Sequence, residues 1–111
     1  MPVLKFEESS TVTVRKGLER KIIHTGGLMT VLLDFSDGPW KEKEPPHSHL
    51  HVQTSYIAGG EIIFYCEGEP EQYLKTGDMF VVPSGKLHTI KLLTKTARLV
   101  DSFSPIREDF V

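Results

Sequence analysis

No stretch of ten or more residues in this chain keeps a helical period with caps at its ends. β-favouring runs of about four to eight residues recur instead, each closed by Gly, Pro or polar residues. Leu18 to His24 and Leu28 to Phe35 flank Thr25-Gly26-Gly27, a hairpin signal because glycine supplies the positive φ that tight turns use. Gln53 to Ala58, Glu61 to Cys66, Gln72 to Lys75, Met79 to Val82, His88 to Leu93 and Ala97 to Phe103 follow the same rule, and Thr11 to Arg15 alternates as a short edge strand does. The spacing predicts about nine or ten short strands, hence an all-β sandwich or barrel. At 111 residues and 39% hydrophobic content, residues 1 to 111 are read as a single domain with its core at about 17 to 105.

Against that background one cluster stands out. His47-Ser48-His49-Leu50-His51-Val52-Gln53 holds three of the five histidines in the sequence. Histidines at i and i+2 of an extended segment point to one face, and neutral imidazole is a good ligand for borderline transition metals. Pro45-Pro46 forces an extended approach to His47, at the end of a loop that begins at Ser36. A straight strand would put His49 and Gln53 about 13 Å apart, too far for one ion with bonds near 2.1 Å. The chain is therefore expected to bend at Leu50 to Val52, which favours a pocket-rim or solvent role for His51 over direct ligation. A second cluster runs from Gly77 through Pro83 and Gly85 to His88, a turn, an apolar strand and a further turn ending on a lone histidine. His24 is read as an exposed or packing strand residue.

Further candidates lie in the last strand. Leu99, Asp101 and Phe103 share a face by alternation, and a carboxylate between two apolar neighbours breaks the local pattern. Arg107 follows, with a planar guanidinium suited to bidentate capture of a carboxylate.

Charge narrows the partners. With 13 basic and 15 acidic residues and no block of like charge, the chain lacks the footprint of a nucleic-acid binder. No apolar run approaches the roughly 18 residues of a bilayer span, and residues 1 to 8 lack a signal-peptide layout. A single cysteine, Cys66, cannot form an internal disulfide and is read as a packed core residue, so the expected compartment is the cytoplasm.

The two histidine clusters resemble the paired motifs of the cupins. The first is matched by His47, His49, Gln53 and Gly60, with Gln53 where most cupins have Glu; the second is matched by Gly77, Pro83, Gly85 and His88. The resemblance implies a double-stranded β-helix, or jelly roll, and one divalent transition-metal ion (Zn, Ni, Co, Mn or Fe) held by His47, His49, Gln53 and His88. Such a set has no anionic donor, so the ion keeps its Lewis acidity and open positions. Asp101 to Phe110 narrows the resemblance to the KdgF-type cupins, which convert 4,5-unsaturated monouronates from pectin and alginate breakdown into linear ketouronates. It implies functional roles for Asp101, Phe103 and Arg107, and a uronate or related sugar acid as the small-molecule substrate. A homodimer is expected, with the Thr11 to Arg15 strand, lacking an obvious partner in its own chain, augmenting the partner's sheet. A non-catalytic sugar- or small-acid-binding cupin and a metal-dependent dioxygenase are the alternative functions; a purely structural barrel leaves the four ligand-type residues unexplained.

Overall fold

The structure is a computed structural model describing residues 3–108, so Phe110 of the C-terminal motif lies outside the described residues. The described strands are β1 (Val12–Arg15), β2 (Leu18–Thr25), β3 (Leu28–Phe35), β4 (Val52–Gly59), β5 (Glu61–Cys66), β6 (Gln72–Lys75), β7 (Met79–Val82), β8 (His88–Leu92) and β9 (Ala97–Ser104). They form a six-stranded sheet ordered β1-β2-β3-β9-β4-β7 and a three-stranded sheet ordered β6-β5-β8. Every pairing is antiparallel. No helix among the described residues is long and apolar enough to cross a membrane.

Period-two alternation fixes which side of each strand turns inward. On β4 Val52, Thr54 and Tyr56 face out, while Gln53, Ser55 and Ile57 are buried. β5 buries Ile62, Phe64 and Cys66, and β9 buries Ala97, Leu99, Asp101 and Phe103. Between the sheets Ile57, Ile62, Phe64, Cys66, Ala97 and Leu99 meet Phe35, Val82 and Leu92 in one apolar cluster, and Phe64 stacks on Phe80 with ring centroids 4.0 Å apart. Each such aliphatic or aromatic side chain, fully buried, contributes roughly 1.5–3 kcal/mol. A second cluster joins Phe103 to Met29 and Val31. Strand β9 therefore has Leu99 in one cluster and Phe103 in the other, with the polar Asp101 between them.

The edge strand corrects one expectation. β1 does find a partner in its own chain, pairing with β2 through Val12↔Arg20 and Thr13↔Glu19. β1 covers the first half of β2 on the edge opposite β3. The β2–β3 hairpin closes with Thr25 opposite Leu28, although neither Gly26 nor Gly27 adopts a positive φ. Gly60, between β4 and β5, does (φ +87), and a Cβ there would come within 2.6 Å of the Thr96 carbonyl oxygen.

The segment from Ser36 to Pro46 is not free. Gly38, Trp40 and Glu44 donate backbone hydrogen bonds to the carbonyls of Lys95, Leu92 and Ile90, so the segment runs alongside β8 and the turn after it. Gly38 lies so close that a Cβ would sit 1.9 Å from the Thr94 carbonyl oxygen. On its other flank Arg15 holds the segment by ion pairs to Asp37 and Glu44, both 2.6 Å. These partly exposed pairs contribute no more than about 1 kcal/mol each, but they fix the approach to His47.

Candidate metal centre

His47 arrives opposite His88. The two residues exchange backbone hydrogen bonds, His47 N to His88 O at 3.1 Å and His88 N to His47 O at 2.9 Å. Side chains of such a pair project to the same side, and the imidazole centroids stand 4.3 Å apart. His49 lies on the same side of the extended segment, 4.9 Å from the His88 ring centroid to centroid. The chain then bends at Leu50 and His51 before β4 begins, as the reach of the motif requires. The ligand atoms of His47, His49 and His88 all lie within 4.8 Å of one another, so the three histidines are positioned to hold a metal ion. His51 is not part of this group, and His24 is exposed at the far end of β2.

Hydrogen bonds decide which ring nitrogens are available. His88 Nδ1 donates to the Lys86 carbonyl at 2.9 Å, and His49 Nδ1 donates to the His51 carbonyl at 2.8 Å. In the neutral rings this leaves a bare lone pair on each Nε2. His88 Nε2 is buried with no hydrogen-bond partner. His49 Nε2 faces Gln53 Oε1 at 3.1 Å, because Gln53 Nε2 is turned away to donate to Ser55 Oγ at 2.8 Å. Two acceptors face each other there, an unfavourable contact that a cation bound by both relieves. The residues present thus fit a metal ion.

Burial favours the neutral rings of His47 and His88. Burial pushes the pKa of His88 down to about 4, with the charges of His47, His49 and Arg107 acting in the same direction against its bond to Lys86. His47, more open as a residue, is also held below the usual histidine value by the packing around its ring, then by His49 and Arg107. Neutral imidazole is the form that ligates.

A cavity of about 300 Å³ opens beside the histidines. His47, Gln53, His88, Asp101, Phe103 and Arg107 all line it. Asp101 reaches it from β9 opposite Ser55 of β4, and Ser55 Oγ donates to Asp101 Oδ1 at 2.6 Å. Burial raises its pKa to about 6, against the Ser55 hydrogen bond and the charge of Arg107, both of which favour the carboxylate. The Arg107 guanidinium carbon lies 5.3 Å from the centroid of the Phe103 ring, which stands nearly perpendicular to the His49 ring with centroids 5.6 Å apart.

Three residues of the site escape a reading of the sequence. Ser55 joins Gln53 to Asp101, and the available signal is two polar residues in succession, Gln53 and Ser55, on the inward face of β4. Arg20 lines the cavity from β2, flagged only by its place between Leu18 and Ile22 in the alternation. Glu44 lines it from the segment beside β8, where no local pattern marks it.

The cupin domain model matches residues 38–103. The pectin degradation protein KdgF of Dickeya dadantii is 37% identical over 97 residues, covering 86% of this chain and 84% of that protein. Among solved structures, KdgF from a Halomonas species superimposes with a TM-score of 0.85 at 34% identity, covering 96% of this chain and 97% of its own. An RmlC-like cupin from Shewanella frigidimarina superimposes with a TM-score of 0.88 at 33% identity, covering 100% and 96% respectively. A jelly roll with the two paired motifs, matched over nearly its whole length by KdgF proteins, places the chain in the cupin family as a relative of KdgF.

Proposed function

We propose that this protein opens the ring of 4,5-unsaturated monouronates, the products of pectin or alginate cleavage, to give linear ketouronates. The observation that carries the reading is that His47 and His88 of the histidine cluster, a buried carboxyl with its pKa raised to about 6 and a guanidinium line one cavity. Likeness to proteins named for pectin degradation supports it.

The reaction is an isomerisation. A proton leaves the anomeric hydroxyl, the bond from C1 to the ring oxygen breaks, and the electrons pass through the C4–C5 double bond, which takes a proton at C4. An aldehyde remains at C1 and a ketone at C5. Asp101 as carboxylate accepts the first proton and as acid delivers the second, and a carboxyl with a pKa of about 6 is suited to both. Arg107 anchors the uronate carboxylate through its planar fork. Phe103 packs against the sugar and holds water away. His47, His49, His88 and Gln53 would hold one divalent transition-metal ion, which when bound supplies Lewis acidity toward a substrate oxygen. The proposed compartment is the cytoplasm, consistent with the buried unpaired thiol of Cys66.

The test is turnover. Metal-loaded protein is mixed with an unsaturated monouronate and loss of the conjugated double bond is followed against the spontaneous rate. Acceleration that disappears in Asp101→Asn is expected; a rate equal to the spontaneous one overturns the proposal and leaves a binding cupin.

A further inference from the structure

We infer that Ser55 is a positioning residue that fixes which end of the Gln53 carboxamide faces the three histidines. The inference rests on Gln53 being the fourth ligand of the proposed centre.

A carboxamide is two-faced: its oxygen can ligate a cation, and its NH₂ group cannot. The ends are nearly equal in size, so packing alone does not choose between them. Hydrogen-bond polarity does. Ser55 Oγ lies 2.6 Å from Asp101 Oδ1 and 2.8 Å from Gln53 Nε2. A hydroxyl has one hydrogen. A carboxylate only accepts, so an ionised Asp101 receives that hydrogen and Ser55 is left as an acceptor toward Gln53. The amide must then present its NH₂ group to Ser55 and its oxygen to His49 Nε2, 3.1 Å away.

Burial makes the rule strict. Gln53 is 6% exposed, Ser55 2% and Asp101 6%, so bulk water offers little substitute for a lost partner. The strands hold the three groups in line. Antiparallel register places Ser55 opposite Asp101 and Gln53 opposite Phe103, while alternation along β4 puts Gln53 and Ser55 on one face. Removing the hydroxyl strands the amide NH₂ group and frees it to turn toward the histidines, where it opposes a cation.

The test uses metal alone and needs no substrate. Apoprotein is titrated with Zn²⁺ against a chromophoric chelator, for wild type and Ser55→Ala, in both the native and the Gln53→Glu backgrounds. A carboxylate presents an oxygen whichever way it turns, so the Gln53→Glu background has no orientation to lose. With Gln53 in place, Ser55→Ala should weaken Zn²⁺ binding roughly 10-fold to 100-fold, the usual range for a group that orients a metal ligand. In the Gln53→Glu background the loss should be under about threefold, below the range expected of an orienting group. Equal losses in the two backgrounds, or no loss in either, would overturn the inference. If Ser55→Ala fails to fold, Ser55→Thr and Ser55→Val serve instead, since they share a shape and differ by the hydroxyl; equal Zn²⁺ affinity in that pair overturns it. A wild type that binds Zn²⁺ in this pattern yet turns over no uronate defeats the proposed reaction and leaves the role of Ser55 standing.

Discussion

His47 and His88 are paired through their backbones, each donating an N–H to the other's carbonyl, although one lies in the segment before β4 and the other begins β8. Two candidate ligands are thus set side by side by the fold itself. Metal capture has little chain entropy left to overcome at this pair, and loss of either side chain leaves the backbone bridge in place.

His47→Ala and His88→Ala are accordingly expected to fold and to lose most of their metal, from one ion per chain to a small fraction. Elemental analysis checks this, and full occupancy in both variants refutes the centre. A metal supplied at 100 times its Kd should stabilise the wild type by about 2.7 kcal/mol, or roughly 10 °C in Tm for a chain of this size. Neither variant should show that shift.

Asp101→Asn is nearly isosteric and its amide oxygen can still accept from Ser55, so it should keep shape and metal while losing the proposed proton carrier. Its kcat should fall roughly 10²-fold to 10⁴-fold. Arg107→Lys keeps a charge but not the planar fork, so KM should rise more than kcat falls. Steady-state kinetics on an unsaturated monouronate separates the two patterns, and an Asp101→Asn variant with wild-type kcat removes Asp101 from the mechanism.

Acidity provides a separate test in the metal-free protein. Folding raises the pKa of Asp101 from 3.8 to about 6, so its share of stability is full below 3.8 and is lost as pH rises through about 6. Folding lowers that of His88 from 6.5 to about 4, so its share is full above 6.5 and is lost as pH falls toward 4. The two trends oppose each other over the same window. Asp101→Asn leaves the histidine trend alone, and its stability should fall more steeply than that of wild type between pH 6.5 and pH 4, by about 2–3 kcal/mol at the ~1.4 kcal/mol that each pKa unit represents. Urea denaturation at intervals across that range measures it; parallel curves would show that Asp101 is not held in a raised state.

On the outward face of β4 and β7 Tyr56 lies opposite Met79 and Thr54 opposite Val81, with Met79 72% and Val81 60% exposed. Exposed apolar side chains grouped in this way are a candidate association surface. We expect a second copy of the chain to cover it, giving a homodimer that Met79→Lys together with Val81→Lys converts to a monomer. Light scattering at micromolar concentration decides, and a monomeric wild type ends the expectation.

Most strand boundaries are legible because local chemistry sets them. Gly59-Gly60 and Glu67 to Pro70 stop strands whatever surrounds them, and β3, β5 and β7 begin and end where the sequence places them. The histidine cluster is legible for a similar reason, since His47 and His49 share a face by spacing alone. Ser55 is not. Its meaning comes from Asp101, 46 residues away and brought opposite by strand register, and a serine in a strand carries no mark of that partner. The segment leading to His47 reads as a loop from its glycine and prolines, yet Gly38, Trp40 and Glu44 still donate to β8 and its turn, because the prolines fall where no donor is needed. The partner of β1 is hidden from the sequence because edge pairing depends on which flank of β2 the fold leaves open.

The order of the six-stranded sheet has a consequence for the chain as it is made. Strand β9 lies between β3 and β4, and it alone joins the hairpin side of the sheet to the side bearing Gln53. Until residues 97–104 have left the ribosome, β3 and β4 each present an unpaired inner edge, and the nascent protein carries the histidine cluster with no Asp101 beside it. Pairing of this late strand with both neighbours shields the two edges from neighbouring chains and places Asp101 beside the histidines.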